Sequence, residues 1–299
     1  MNRKISGCSY NITFDEVNSR FFLLSARSVR VFDIETLGSI AKLSDIANPN
    51  QIFISHKNGI IAVKSTVGQF AFYSVKDFTF LGKMRLKGSP STDPKFYYDE
   101  EENVIYGRAT KETKNGIEFF IYRVYPETLT YTTIPLPQME REANEGEKPY
   151  TYYHFHKYSK GSYYLIRNFY DVKNRRIYEC SYGRYKEEGG TLVLRKKYIS
   201  TVKRRLELLD VTEKENLAQI YDFSKKLDPR IHPHFYHFYR NERGLFLITS
   251  EAIYHLNSSG EFEEVYHAKY MSDYAEFRGC RYICTWEWCL VQDILHEHK

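Results

Sequence analysis

The sequence predicts an all-β fold built from repeated four-stranded units. The first observation is an internal repeat: residues 152–167 (YYHFHKYSKGSYYLIR) return without gaps, 83 positions later, as residues 235–250 (FYHFYRNERGLFLITS). The match keeps His154 and Gly161 identical, and a unit that recurs at intervals of tens of residues indicates a repeat architecture. The second observation is composition, because 16% of the residues are aromatic, with 27 Tyr and 20 Phe, and this bias favours strands.

Short apolar and aromatic runs between turn residues give the strands in order, as in FFLLSA, VRVFDIE and GIIAVKS. They group into five sets of four, in residues 9–44, 45–88, 89–138, 150–200 and 233–269. A last set, residues 270–299, holds about three strands. The first eight residues supply one more short run, which we expect to pair beside the last three strands and to cover their open edge.

Two polar segments interrupt these sets. The segment from Thr110 to Gly116 contains KETKNG, which is typical of an exposed hairpin tip. Residues 139–149 (MEREANEGEKP) are charged and lack apolar periodicity, so we expect a connecting loop there.

Residues 201–231 break the strand pattern. Thr212 and Glu215 form a capping-box pattern, apolar residues follow at near-helical spacing, and Pro229 ends the run. We therefore predict one amphipathic helix of about four turns, inserted between the fourth and fifth sets.

The strands themselves are apolar on both faces, as expected of strands in a sheet that is packed between two neighbouring sheets. Residues 28–44 (SVRVFDIETLGSIAKLS) and 68–84 (GQFAFYSVKDFTFLGKM) resemble repeats of the β-propeller superfamily, in which an apolar run ends in Asp or a similar residue before a turn and an outer strand. The repeats lack the Trp-Asp and Gly-His pairs of the tryptophan–aspartate repeat proteins. The resemblance implies one propeller domain over residues 1–299 with six blades, or seven if residues 201–231 supply another.

Net charge, apolar run length and cysteine content predict the kind of partner and the cellular location. The formal net charge of +5 permits an acidic partner without requiring one. No apolar run approaches the length of a signal peptide core or a membrane span, so we expect a cytoplasmic protein. The five cysteines are odd in number and include no CxxC pair, which favours free thiols, with a zinc site at Cys280, Cys284 and Cys289 as the alternative.

Histidines cluster on the strands expected to border the central channel. Imidazole is a frequent metal ligand and a near-neutral acid or base, but a repeated histidine also serves as a hydrogen-bonding group at a seam between blades. We favour the hydrogen-bonding interpretation and predict no metal and no cofactor. The candidates for a binding site at the channel mouth are Tyr152, His154, His156, His232, His234 and His237.

A second candidate surface is basic. Residues 157–205 hold fourteen Lys and Arg against four Asp and Glu, with tyrosines interleaved. Such a pattern suits single-stranded nucleic acid, through phosphate contacts and base stacking. Aromatic residues in strands are more often core residues, however, and lysines solvate outer strands.

No motif in the sequence fixes a reaction, since the chain has no phosphate-binding glycine loop, no GxSxG elbow and no HExxH. Whether the protein is an enzyme is therefore left open. The first hypothesis is a non-catalytic module that binds another protein or a small ligand at one propeller face. The alternative is a hydrolase or lyase acting on a lactone or sugar at the channel mouth.

Overall fold

The computed structural model describes residues 2–7, 11–87, 96–114, 116–136, 147–171, 176–200, 237–249 and 251–294. Within these residues the secondary structure consists of strands, arranged in six four-stranded antiparallel sheets. The number of sheets equals the number of strand sets that the sequence predicts. Across this part of the chain there is no helix with the length and hydrophobicity needed to cross a membrane.

The first three sheets are formed by consecutive strands. The first sheet contains β2 (Asn11–Asp15), β3 (Arg20–Ser25), β4 (Ser28–Asp33) and β5 (Ser39–Leu43). The second contains β6 (Pro49–Ser55), β7 (Ile60–Ser65), β8 (Gln69–Ser74) and β9 (Phe80–Arg85). The third contains β10 (Tyr97–Asp99), β11 (Val104–Thr113), β12 (Gly116–Tyr125) and β13 (Thr130–Pro135).

The other three sheets follow the same order, except that the last one recruits the N-terminal strand. The fourth sheet contains β14 (Glu147–Ser159), β15 (Ser162–Asp171), β16 (Arg176–Glu188) and β17 (Thr191–Ser200). The fifth contains β18 (His237–Asn241), β19 (Gly244–Ile248), β20 (Ala252–Leu256) and β21 (Phe262–His267). The sixth contains β22 (Met271–Phe277), β23 (Cys280–Thr285), β24 (Trp288–Asp293) and β1 (Asn2–Ser6).

Both faces of a central strand are buried, and β3 shows how. Phe22 and Leu24 join an apolar cluster with the second sheet, whereas Phe21 and Leu23 join a cluster with the sixth sheet. Successive side chains on a strand point to opposite faces, so one continuous apolar run fills two interfaces. This arrangement explains why these strands lack the apolar–polar alternation of a sheet that faces water on one side.

Apolar clusters of this kind hold successive sheets together. Among the described residues they join the first sheet to the second and to the sixth, the second to the third, the third to the fourth, and the fifth to the sixth. The fourth strand of a sheet lies outside the clusters for most of its length, since β5, β9 and β13 are largely exposed. The sheets therefore pack face to face, with their last strands outward.

The N-terminal strand completes the sixth sheet, as the sequence predicts. Residues of β1 pair antiparallel with β24, from Asn2 opposite Gln292 to Ser6 opposite Trp288. The first sheet also holds this strand in place, because the Arg30 Nη1 donates a hydrogen bond of 2.5 Å to the carbonyl oxygen of Ser6. Without β1, the backbone groups of β24 would form an open sheet edge.

The structure refines two expectations about loops. The segment from Thr110 to Gly116 lies at the end of a hairpin, as predicted, but the strands extend into it, because β11 continues to Thr113 and pairs it with Gly116. The connector at 139–149 is partly strand, since β14 begins at Glu147.

The segment that carries the predicted helix, residues 201–231, lies outside the described residues, as does the seven-blade alternative that depends on it. Where the structure describes the connection between two strands, that connection is a short turn.

One close approach in the core requires glycine. A Cβ built on Gly107 in β11 would lie 2.1 Å from the Cγ of Phe96, far inside normal contact distance. Phe96 is buried and packs between the second and third sheets. The absence of a side chain at this position therefore lets the phenylalanine ring fill the seam.

Candidate functional site

The structure places four of the six channel-mouth candidates on first strands of sheets. Tyr152, His154 and His156 lie in β14, and His237 is the first residue of β18. His154 pairs with Ile166 across the hairpin, and His237 pairs with Ile248. His232 and His234 lie outside the described residues, so the role of the histidine set stays a prediction.

The two repeat copies differ in register by one residue. An irregularity between Lys157 and Ser159 inserts an extra residue in β14, whereas β18 pairs regularly up to Asn241. Consequently Gly161 lies in a turn, whereas Gly244 begins β19, although the ungapped match aligns them. The two copies therefore form equivalent strands, but a β-bulge in the first copy shifts its residue pairing by one position relative to the second.

A row of contacts runs along one end of the sheets, where the turn between the first and second strand of each sheet lies. We call this end the turn face. At the seam between the first and second sheets, the Asp15 carboxylate accepts hydrogen bonds from Arg20 Nε at 2.7 Å and faces His56 Nε2 at 2.6 Å. Asp15 is at the end of β2 and its side chain is fully buried, so this ion pair lies at the base of the seam.

The row continues at the seam between the second and third sheets. The Ser55 hydroxyl donates a hydrogen bond of 2.5 Å to Glu100, and the Asn58 Nδ2 donates one of 2.8 Å to the Tyr98 hydroxyl. On the exposed side, Lys57 and Glu101 form an ion pair of 2.6 Å. Side chains of adjacent turns thus bridge both seams directly.

At the next seam, between the third and fourth sheets, the turn face has a cleft of about 670 Å³. Its volume lies within the roughly 300–1,000 Å³ range of ligand pockets in proteins. We call this feature the seam cleft. It is lined by Glu101, Glu102, Val104, Tyr106, Arg123, Tyr125, Lys160, Gly161, Tyr163, Glu187, Gly189 and Gly190.

An ion pair between the two sheets forms one wall of the seam cleft. The Arg123 guanidinium of β12 donates two hydrogen bonds to the Glu187 carboxylate of β16, at 2.9 and 3.1 Å. Both side chains are about one-fifth exposed, at 23% and 18%. A bidentate pair fixes both planar groups, so this wall is rigid. Glu187 is positioned further by its backbone N–H, which donates to the carbonyl oxygen of Gly161 at 2.7 Å.

Tyrosines form the buried side of the seam cleft. Tyr106 and Tyr163 come from different sheets, are almost fully buried, and have ring centroids 6.4 Å apart. Burial, together with the negative charges of Glu187 and Glu102, raises the pKa of Tyr163 to about 12. Burial and a hydrogen bond to Glu102 likewise raise the pKa of Tyr106. Both phenols are therefore neutral at pH 7 and cannot act as bases there.

The charged side chains that line the seam cleft are three carboxylates, Glu101, Glu102 and Glu187, and two cations, Arg123 and Lys160. The turn between β10 and β11 carries Glu100, Glu101 and Glu102 in succession, directly after Asp99. The hydroxyl of Ser55 hydrogen-bonds to Glu100, and a hydroxyl donor does not neutralise the carboxylate that it contacts. Lysine is present too, because Lys160 lines the opposite side.

Sequence reasoning missed this site, although it contains a visible signal. The run DEEEN at residues 99–103 places four consecutive acids between two strand patterns, which is unusual for a short turn. Its partners on the fourth sheet are more than 55 positions away in the chain, so no local pattern connects them.

The cysteine and metal alternatives have different outcomes. Cys284 and Cys289 are opposite each other, with Sγ atoms 3.6 Å apart, but Cys280 is four residues along β23, a distance of roughly 13 Å. The three-cysteine zinc site is therefore wrong. Over the residues that the structure describes, no group of three or more His, Cys, Asp or Glu side chains is placed to hold a metal ion.

Part of the basic segment is engaged with carboxylates. Within residues 157–205, Arg195 forms an ion pair with Glu188, and Lys160 lines the seam cleft beside its acidic rim. Nucleic-acid binding by this segment stays a prediction.

No protein-family model matches the chain, and no curated protein sequence matches it. Among solved structures the chain is similar to the β-propeller domain of Myceliophteria thermophila Cps50 (Swd1), with a TM-score of 0.55 over 98% of this chain and 99% of that chain. Sequence identity is 12%, so the similarity is one of fold and carries no functional residue. Together with the packed four-stranded sheets, it shows that the chain is an all-β protein with the β-propeller fold.

Proposed function

We propose that the protein is a non-catalytic interaction module whose turn face binds another protein. The observation that carries the proposal is the seam cleft, a pocket of about 670 Å³ between two rigidly packed sheets. Propellers present faces built from turns around a rigid core, and such faces suit the binding of partners by shape and charge. The alternative is that the turn face binds a small ligand and not a protein.

The chemistry of the seam cleft favours a basic segment of the partner. Glu101 and Glu102 stand at the rim, the partly exposed Tyr125 provides aromatic surface, and Glu187 closes one wall. A guanidinium or ammonium group is attracted by carboxylates and also packs on aromatic rings. An anionic ligand would instead have to approach several carboxylates at once.

The Arg123–Glu187 pair has a positioning role in this proposal. Two hydrogen bonds from the guanidinium hold the Glu187 carboxylate, so Glu187 keeps its place without a ligand. The wall is therefore formed before binding, and a preformed site reduces the ordering cost of association.

The test uses a library of fluorescent peptides in which one central position is varied, with binding followed by anisotropy at low and physiological salt. We expect peptides with central Arg or Lys to bind more tightly than the matched Gln peptides, and more weakly as salt rises. Glu102→Gln should weaken that binding about tenfold, the effect of losing ~1.4 kcal/mol of charge interaction.

The matched control is Glu16→Gln, which removes an exposed carboxylate from another turn of the same face. Equal affinities for Arg and Gln peptides, or an equal effect of Glu16→Gln and Glu102→Gln, would contradict the proposal. Binding of an oligonucleotide or a neutral sugar at the turn face in place of the peptides would contradict it as well.

A further inference from the structure

Two buried thiols are opposite each other in the sixth sheet. Cys284 of β23 pairs directly with Cys289 of β24, and their Sγ atoms are 3.6 Å apart. Both residues are fully buried in the apolar cluster that joins the sixth sheet to the first. This pair is remote from the seam cleft and has no part in the proposed interaction.

The backbone already has the spacing that a disulfide needs. Residues directly opposite in an antiparallel pair have Cα atoms about 4.5 or 5.5 Å apart. Disulfides span Cα distances of roughly 4.4–6.8 Å, so the two strands need not separate or shift register. The sulfur atoms have to approach from 3.6 Å to about 2.05 Å, which side-chain rotation and a small strand movement supply.

The N-terminal strand β1 lies next to β24 and so flanks this pair at the edge of the sixth sheet. Ile5 of β1 is opposite Cys289, so Ile5, Cys289 and Cys284 form one row across three strands. β1 is an edge strand, held on one side by its pairing with β24, and the Gly7 N–H extends this contact by donating a hydrogen bond of 2.9 Å to the carbonyl oxygen of Glu287. Edge strands with few partners open locally at lower free energy than the core does.

We propose that Cys284 and Cys289 form a reversible disulfide with a small-molecule disulfide as oxidant, and that opening of β1 controls access to Cys289. In the first step, the Cys289 thiolate attacks one sulfur of the oxidant, forming a mixed disulfide and releasing one small thiol. In the second, the Cys284 thiolate attacks the Cys289 sulfur, closing the protein disulfide and releasing the second small thiol. The protein loses two protons and two electrons, and the oxidant gains both.

Cys280 cannot replace either partner. It lies four residues from Cys284 on the same strand, and burial together with the nearby Asp293 charge raises the pKa of its thiol. Thiol–disulfide exchange runs in both directions, so an excess of a small thiol returns the pair to the reduced form.

The first experiment treats the full-length folded protein with excess oxidised glutathione, then unfolds it in denaturant, alkylates the remaining thiols and digests with trypsin. Cleavage after Arg281 leaves both Cys284 and Cys289 in the peptide of residues 282–299, whereas Cys280 is in a separate peptide. We expect the 282–299 peptide to lose two hydrogen atoms and to resist alkylation until a reductant is added. Two alkyl groups on this peptide, or a glutathione adduct that persists on it, would overturn the proposal.

The second experiment measures how fast the disulfide between Cys284 and Cys289 forms when β1 is altered. Ile5→Ala removes contacts of β1 without deleting the strand, and we expect closure to become at least about tenfold faster because local opening becomes cheaper. Ile40→Ala, at a half-exposed position of β5, is the matched control and should react as the wild type does. Equal rates for all three proteins would overturn the role of β1, and a Cys284→Ser protein should stop at the mixed disulfide.

Discussion

Replacing Asp15 by Ala should destabilise the protein more than any surface change, because Asp15 is the buried anion at the seam between the first two sheets. Its carboxylate accepts hydrogen bonds from Arg20 Nε at 2.7 Å and from the Asn18 backbone and side chain at 3.2 and 3.0 Å, and it contacts His56 at 2.6 Å. Removing one partner of a buried ion pair typically costs about 3–5 kcal/mol, since the other charge stays buried.

The structure places the expected value near the lower end of that range. In the Asp15→Ala protein, Arg20 keeps its hydrogen bond to the carbonyl oxygen of Val75 at 2.5 Å and its position over the Phe78 ring, 4.5 Å from the centroid. These contacts partly offset the loss of the Asp15 carboxylate as a partner of the Arg20 guanidinium. We therefore expect a loss of about 3 kcal/mol in the free energy of unfolding at pH 7.

The assay is urea denaturation followed by circular dichroism, with the slope of the free energy against urea checked for constancy. The control is Lys57→Ala, which breaks the exposed ion pair with Glu101 and should change the stability little, because solvent screens that pair. If Asp15→Ala and Lys57→Ala lower the free energy of unfolding by equal amounts, the reasoning about burial is refuted.

The same pair makes a prediction about pH. Burial tends to raise the pKa of Asp15, but hydrogen bonds from Asn18 and His56 and the charge of Arg20 outweigh it, so the folded-state pKa lies below the ordinary value of 3.8. A carboxyl with a lowered folded-state pKa stabilises the protein above its unfolded pKa and loses that contribution as the pH falls. The stability difference between wild type and Asp15→Ala should thus be constant from pH 7 to about 5 and shrink below pH 4.

Three further perturbations follow from the packing and from the histidine hypothesis. Deleting residues 1–7 should lower the melting temperature and cause association through the freed edge of the last strand; a monomer with an unchanged melting curve would argue against this closure. Gly107→Ala should cost about 1–3 kcal/mol by overpacking, measured by denaturation against Gly38→Ala, whose added methyl would meet the Thr36 side chain, with Oγ1 at 3.1 Å. A His154→Ala, His237→Ala protein should stay folded and contain no less metal by elemental analysis than the wild type; loss of a stoichiometric metal would favour the enzyme hypothesis instead.

The strands could be predicted because their signal is local. A run such as FFLLSA between turn residues is buried whichever sheets neighbour it, and Arg20–Ser25 is a strand with five buried residues in succession. The N-terminal pairing was predictable because the last strand set had only three strands, whereas the first eight residues formed a strand that belonged to no set.

Hairpin length was harder to predict from sequence, because polar residues in a two-stranded hairpin look like loop residues. Lys111 and Glu112 belong to β11 and pair with Glu118 and Ile117 of β12, although their composition is that of a turn. The bulge in β14 is similar, since an ungapped sequence match carries no sign of one extra residue in a hairpin.

The seam cleft could not be predicted for a geometric reason. Its walls meet only because two sheets pack side by side, which places Arg123 of one sheet against Glu187 of the next. At the described seams, a turn on the turn face contacts the turn region of the next sheet, as His56 contacts Asp15 and Asn58 contacts Tyr98. A search for function in such a protein should therefore compare turn residues of successive repeats, because charge that accumulates in one turn acts on its neighbour across the seam. By that criterion the acidic run at residues 99–103 marks the seam cleft more directly than the histidines of the repeated strand do.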